Sequence, residues 1–268
     1  MPEGTKSVTQ IAYMPPNSTA LGTSPTIVGS AGWRLFVHDE VPSTNDLARQ
    51  LPAWSAVRAV AQTAARGRFG RSFVSDPGGL WLSANLPAAG SAGQWSGFSL
   101  VVGHHLLVTL RTLGVPAARL RWPNDLMSGK RKLAGLLIEQ GTRQVLTVGV
   151  GMNVDNAPWN REASLADTTT RLADLSPNVP TIDTLAVIVL DALADAHRVM
   201  LAEGLLPVIG QLNRHWHACP VEVALVEGEI LHGDFLGLDG DANLRISSLT
   251  GHVRLVPHHH VARLKELD

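Results

Sequence analysis

The sequence has one cysteine, Cys219, one tyrosine and few charges, with Asp, Glu, Lys and Arg together supplying 17% of its 268 residues. A single cysteine forms no internal disulfide, which suits a reducing compartment, and it excludes a Cys-x-x-Cys metal knuckle. Lys plus Arg (22) nearly balances Asp plus Glu (23), so the formal net charge is -1. No global basic field gathers polyanions, which argues against a nucleic-acid coat protein. Long apolar runs are missing too: the stretch FSLVVGHHLLVTL, residues 98 to 110, is shorter than a membrane span and is broken by two histidines. The N-terminus lacks the charged start and apolar run of a secretory signal, so the expected location is cytoplasmic. Neither an internal repeat nor a heptad pattern is present.

Apolar residues are plentiful at 45%, enough for a sizeable core, and the length suggests about two domains. Residues 1–30 are rich in Ser, Thr, Gly and Pro and read as a flexible tail. From Trp33 onward, short apolar runs alternate with helical ones, which predicts an α+β domain over 31–216, a mixed β-sheet with helices packed on it. Strands are expected at 33–41, 57–63, 80–86, from 118, at 132–140 and at 143–154, the last two joined by a tight hairpin at Gly141-Thr142. Helices are expected after a Ser43 or Thr44 cap, over 96–113, and over about 163–175, 181–203 and 205–216. Residues 217–268 contain four strand-like runs separated by Glu227-Gly228, Gly240-Asp241 and Thr250-Gly251, which predicts a small β-barrel.

Two stretches carry chemistry. In AQTAARGRFGRSF, Arg66, Arg68 and Arg71 alternate with Gly67 and Gly70, pairing exposed backbone N–H groups with guanidinium forks suited to carboxylate or phosphate. Three readings stand: a solvated turn, which ranks first for the loop in isolation, an RGG-like nucleic-acid segment, or a lid over an acyl-phosphate centre. In RWPNDLMSGKRKLAGLLIE, residues 121 to 139, Asn124 and Asp125 present an amide and a carboxylate, and Lys132 follows at the mouth of an apolar strand. Asp125 is the oxygen ligand that Mg²⁺ favours, and Lys132 is a point charge for a phosphate or carboxylate. The histidines, including His258-His259-His260 and His215-x-His217, have no carboxylate at ligand spacing, so no zinc is assigned. His104 and His105 are expected to be one buried and one partly exposed, and Trp95, Trp159 and Trp216 to pack the core or the domains.

These stretches resemble those of biotin protein ligases. QTAARGRFGR is similar to their glycine-arginine loop, and RWPNDLMSGKRKLAGLLIE to their tryptophan-proline-asparagine-aspartate signature with its following lysine strand. GVGMNV (149–154) and PSTN (42–45) match two further elements in the family's order, and the likeness runs from about Trp33 to the C-terminus. It implies the biotin–lipoate ligase catalytic fold, akin to class II synthetases, with an SH3-like C-terminal domain. The implied reaction joins biotin and ATP as biotinyl-5'-AMP, with Mg²⁺, and then acylates one lysine of a biotin carboxyl carrier domain.

Carried onto this chain, the resemblance gives Lys132 and Arg68 the catalytic roles, Lys132 touching both the biotin carboxylate and the adenylate phosphate. Ser43, Thr44, Asn45 and Gln62 would frame the ureido ring, Trp122 would line the tail and Gly135 the thiophane end, with Gly67 also among the biotin-binding residues. Arg66 and Arg68 would bridge the acyl-phosphate, with Arg71, Phe73, Asn124 and Asn153 on the nucleotide and Asp125 on the metal. Three positions depart from the family pattern. Ala65 stands where glycine is usual and is expected to crowd the ureido pocket, while Phe73 replaces tryptophan and Arg121 replaces lysine. The loop is expected to be disordered when empty, because its arginines repel one another. A tail of some thirty residues is too short for a DNA-binding winged helix, so no sequence-specific DNA binding and no membrane partner are expected. An open sheet edge leaves a homodimer possible. The rivals are a lipoate or octanoate ligase on the same fold and a non-catalytic ligand- or RNA-binding regulator.

Overall fold

The computed structural model describes residues 24–267 apart from 89, 91, 141–143, 217, 249 and 250. The expected hairpin turn at Gly141-Thr142 therefore lies outside the described residues, as do most of the tail, His217 and Thr250.

Among the described residues, thirteen strands and four α-helices follow one another as β1 (Thr26–Val28), β2 (Trp33–Val41), α1 (Thr44–Ala48), β3 (Ser55–Gln62), β4 (Leu80–Pro87), α2 (Phe98–Thr112), β5 (Ala118–Arg121), β6 (Asp125–Ser128), β7 (Arg131–Gln140), β8 (Val145–Met152), α3 (Ile182–Glu203), α4 (Leu206–His215), β9 (Cys219–Leu225), β10 (Ile230–Leu238), β11 (Leu244–Ser247), β12 (Val253–Val256) and β13 (Val261–Glu266). The first eight strands form one sheet in the order β1-β2-β3-β4-β8-β7-β6-β5. Only the β2–β3 pair is parallel, so the sheet is mixed as the alternation of elements suggested.

Alternation along the strands gives each face of the sheet its own core. Leu35 and Ala56 point into the large core beneath α2 and α3, whereas their neighbours Phe36 and Val57 meet Ala48 and Leu51 around α1. The short helix α1 exists because Ser43 caps it, its hydroxyl accepting from the Asp46 N–H. That cap holds Ser43, Thr44 and Asn45 over the outer face of the sheet.

Several expectations change. Thr26–Val28, assigned to the tail, pair antiparallel with β2 through Thr26–Leu35 and Val28–Trp33. Residues 163–175 are not a helix but two 3-10 turns, Ala163–Leu165 and Leu172–Asp174, and Ser164 lies inside the first rather than capping it. The reason lies between the turns, where the Lys132 N–H donates to the Thr168 carbonyl at 2.8 Å and the Thr170 N–H to the Lys132 carbonyl at 2.9 Å. That ladder needs extended backbone. Beyond His215 the β region has five strands rather than four, ordered β12-β11-β10-β9-β13 and all antiparallel. Among the described residues no pair joins β12 to β13, so the sheet is open where a barrel was expected; a turn at His258–His260 leads into β13, which pairs with β9. His104 and His105 are both partly exposed, and Trp95 is buried, stacked on His197 at 5.4 Å.

Candidate active site

A cavity of about 890 Å³ opens between the outer face of the first sheet and the C-terminal strands. Ser43, Thr44, Asn45, Gln62, Arg66, Gly67, Arg68, Arg71, Phe73, Trp122, Asn124, Asp125, Lys132 and Gly135 all line it. Asn153 does not. It is buried, its amide donating to the Thr170 carbonyl at 3.2 Å and its carbonyl oxygen accepting from Asn156 at 2.9 Å, so its polar atoms are used in shaping the chain after β8.

Lys132 owes its direction to an irregularity. In a regular strand residues 132 and 135 would face opposite ways. Register shifts between Leu126–Ala134 and Met127–Lys132, so Leu133 is the extra residue of a β-bulge, and the bulge turns Lys132 over Gly135. A methyl group on Gly135 would stand 2.9 Å from the Lys132 Nζ and 3.0 Å from its Cε. The amine itself lies 2.6 Å from Asp125 Oδ1 and 5.5 Å from the centre of the Phe73 ring. Arg121 takes the other oxygen of Asp125 at 2.8 Å. Burial alone would raise the Asp125 carboxyl, but Lys132 and Arg121 outweigh it and hold the carboxyl below the usual carboxylate range.

With both oxygens of Asp125 given to cations, the expected metal ligand is engaged elsewhere. Among the described residues no group of three His, Cys, Asp or Glu side chains could hold a metal ion. The donor set does not fit a protein-built Mg²⁺ cage.

Each arginine of the loop has an acceptor. Arg66 grips both oxygens of Asp46 at 2.7 Å and reaches Glu139 at 3.3 Å. Arg68 donates to the carbonyls of His258 at 2.7 Å and Val261 at 3.1 Å, and Arg71 donates to that of Ala262. Carbonyls of β13 and of the turn before it thus accept the charge that would otherwise repel. Phe69 is half exposed with a left-handed φ of 57°, whereas Phe73 is anchored edge-on to Trp81 with ring centres 5.9 Å apart. Gly151 makes room for Phe73, since a Cβ there would lie 2.9 Å from the ring. Ala65 is not among the non-glycine residues with positive φ, so the left-handed backbone that would call for glycine is absent.

Beneath the loop, Ser43, Thr44, Asn45 and Ser83 are buried, and the last three are bonded to one another. Thr44 donates its N–H to Gln62 Oε1 at 2.8 Å, Thr44 Oγ1 and Ser83 Oγ are 2.7 Å apart, and Ser83 donates to Asn45 Oδ1 at 2.5 Å. Gly149 makes this possible, because a Cβ there would fall 2.4 Å from Asn45 Oδ1. Asn124 is tied to β7, its amide donating to the Leu136 carbonyl at 2.7 Å. Trp122 is buried in the cavity wall and donates to the Ala242 carbonyl at 3.3 Å, joining the two sheets. Sequence reasoning missed Ser83, Ser75, Asp46, Glu139 and the accepting carbonyls of His258, Val261 and Ala262. Ser83 sits on the phase of β4 opposite the core residues Leu82 and Ala84, a polar residue in an apolar strand, but no sequence signal marks a backbone carbonyl.

The arrangement offers a buried, amide- and hydroxyl-lined end, a cationic centre at Lys132 and Arg68, and an aromatic ring beside them. Residues 39–155 match the model of the biotin/lipoate A/B protein ligase family. The bifunctional ligase/repressor BirA of Escherichia coli (strain K12) is 30% identical over 240 residues, covering 85% of this chain and 74% of that protein. The biotin--[acetyl-CoA-carboxylase] ligase of Mycobacterium tuberculosis is 35% identical over 144 residues, 49% of this chain and 54% of that one. In fold, the chain is similar to the biotin protein ligase from Aquifex aeolicus in complex with biotin and ATP, with a TM-score of 0.77 at 23% identity, over 87% of this chain and 99% of that chain. No helix among the described residues is long and apolar enough to cross a membrane. On the length and identity of these matches, the chain belongs to the biotin protein ligase family and is a ligase.

Proposed function

We propose that the protein activates biotin with ATP and transfers it to one lysine of a biotin carboxyl carrier domain. A biotin carboxylate oxygen attacks the α-phosphorus of ATP, the bond to pyrophosphate breaks, and biotinyl-5'-AMP remains. The carrier amine then attacks the acyl carbon, AMP leaves with the bonding pair, and the amine gives up a proton. Step one gathers negative charge where the acid and the phosphate meet, so fixed cations supply its stabilisation. Lys132 meets the carboxylate and the α-phosphate, exchanging its bond to Asp125 for the ligand. Arg68 bridges the acyl-phosphate, Arg71 and Phe73 face the nucleotide, and Ser43, Thr44, Asn45 and Gln62 receive the ureido ring. Arg66, bound twice to Asp46, shapes the ring's end of the site rather than the phosphate's. Magnesium would enter with the triphosphate.

The observation that carries this reading is the meeting of Lys132, Arg68 and the buried Thr44–Ser83–Asn45 network in one cavity. A pyrophosphate-release assay with biotin, lipoate and octanoate as the acid tests it. Release with biotin alone is expected; release with lipoate or octanoate and not with biotin would overturn it.

A further inference from the structure

Glu139, near the end of β7, is a carboxylate whose bonds reach both the ureido-facing turn and the arginine loop. It accepts from Asn45 Nδ2 at 2.9 Å and from Arg66 at 3.3 Å, with Arg49 at 3.6 Å. An ionised carboxylate can only accept, so the Asn45 amide must turn its NH₂ toward Glu139 and its oxygen toward Ser83. The Ser83 proton is then spent on Asn45. In the 2.7 Å contact with Ser83, Thr44 is therefore the donor, its Oγ1 also lying 3.1 Å from Gln62 Oε1. The Thr44 N–H points the oxygen of Gln62 inward, leaving its NH₂ to donate to Ser75 at 3.1 Å, and Ser75 donates to the Phe73 carbonyl at 3.3 Å. One anion thus imposes a single direction on the Asn45, Ser83 and Thr44 groups, which meet the Gln62–Ser75 run that the Thr44 N–H directs.

We propose that Glu139 is a positioning residue that fixes which atoms of Thr44 and Asn45 face the ureido ring, and so sets the preference for biotin over acids without that ring. The proposal rests on the biotin reading of the cavity. A ureido ring presents one acceptor flanked by two donors, so a site whose hydroxyl and amide groups are free to reverse recognises it poorly. The Glu139 carboxylate accepts on both oxygens. Oε2 accepts from both Asn45 and Arg66 while Oε1 faces Arg66 at 3.4 Å and Arg49 at 3.6 Å, so a glutamine must set its NH₂ either against the two arginines or, turned over, against the Asn45 NH₂.

The test compares wild type, E139Q and the double variant N45D/E139Q in biotin-dependent pyrophosphate release. The double variant exchanges acceptor and donor between the two positions and keeps the net charge. E139Q should raise the KM for biotin about tenfold with kcat and the KM for ATP little changed, as expected for one lost charge-assisted hydrogen bond. The double variant should recover most of that loss. Hydrogen exchange of backbone amides 65–72 without ligand should be faster in E139Q, since Arg66 loses one of its two carboxylates. An unchanged biotin KM, or equal losses in kcat and in the KM for ATP, would overturn the proposal, as would unchanged exchange in the loop. Wild-type turnover reads the biotin function itself, whereas the variant ratios and the ligand-free exchange read Glu139, so the two failures are told apart.

Discussion

The Nζ of Lys132 rests 2.6 Å from Oδ1 of Asp125, inside a cavity that also holds Arg68 and Arg121. The amine that the substrate must claim is already neutralised by a carboxylate. Its placement is therefore prepaid by the fold, and a ligand carboxylate or phosphate has only to replace one acceptor with another.

Replacing Lys132 with alanine should abolish adenylate formation while the fold survives, because the side chain is partly exposed and its backbone bonds to Thr168 and Thr170 remain. Pyrophosphate release should fall by at least about 100-fold, the scale of losing a preorganised electrostatic contact, with an unchanged far-ultraviolet circular dichroism spectrum. Normal turnover would remove the residue from the mechanism.

Gly135→Ala tests the bulge geometry without touching a charge. The added methyl would meet Nζ at 2.9 Å and Cε at 3.0 Å, so the flexible Lys132 must swing aside rather than the backbone. Activity should drop about tenfold or more, given how steeply rate depends on placement, while the melting temperature shifts little. A fully active variant would show that Lys132 reacts from another position.

Arg68→Ala removes the donor that joins the loop to the carbonyls of His258 and Val261. A loop that no longer closes admits water to a mixed anhydride, so free biotinyl-5'-AMP should appear in solution and hydrolyse. Chromatography of a reaction lacking carrier measures this directly, and an unchanged amount of released adenylate would count against a lid.

Acidification should destabilise the protein earlier than its carboxylates require. Burial first, then Arg68 and His259, push His258 down to about 4 from its ordinary 6.5. A group with a depressed folded value favours the folded state above its unfolded value, so this stability is full above pH 6.5 and is lost as pH falls toward 4, where the unfolded chain binds the proton and the fold does not. Burial depresses His38, His104 and His197 in the same direction. Urea midpoints should decline from about pH 6.5, less steeply in His258→Gln; parallel declines in variant and wild type would refute the assignment.

Local patterns announced much of this. Apolar alternation placed β2 to its exact ends, Trp33–Val41, and Ser43 announced α1 because a capping hydroxyl acts over only a few residues. The stretch 163–175 misled, since its apolar spacing suits a helix while its backbone is claimed by Lys132 from β7. Thr26–Val28 lay hidden for a similar reason: three residues carry too little periodicity, and only the neighbouring β2 gives them a partner.

By itself, the amino-acid order determined the kinds of groups at the site: an arginine-glycine loop, a capped polar turn, and a lysine opening an apolar strand. Those are facts of short range, settled by residue type and spacing. Tertiary structure alone decided that Lys132 leans over Gly135, that carbonyls of the C-terminal segment receive Arg68 and Arg71, and that Glu139 orients Asn45. Each of these depends on a bulge, an edge or a crossing between segments far apart in the chain, where hydrogen-bond geometry selects the partner and no local pattern records it.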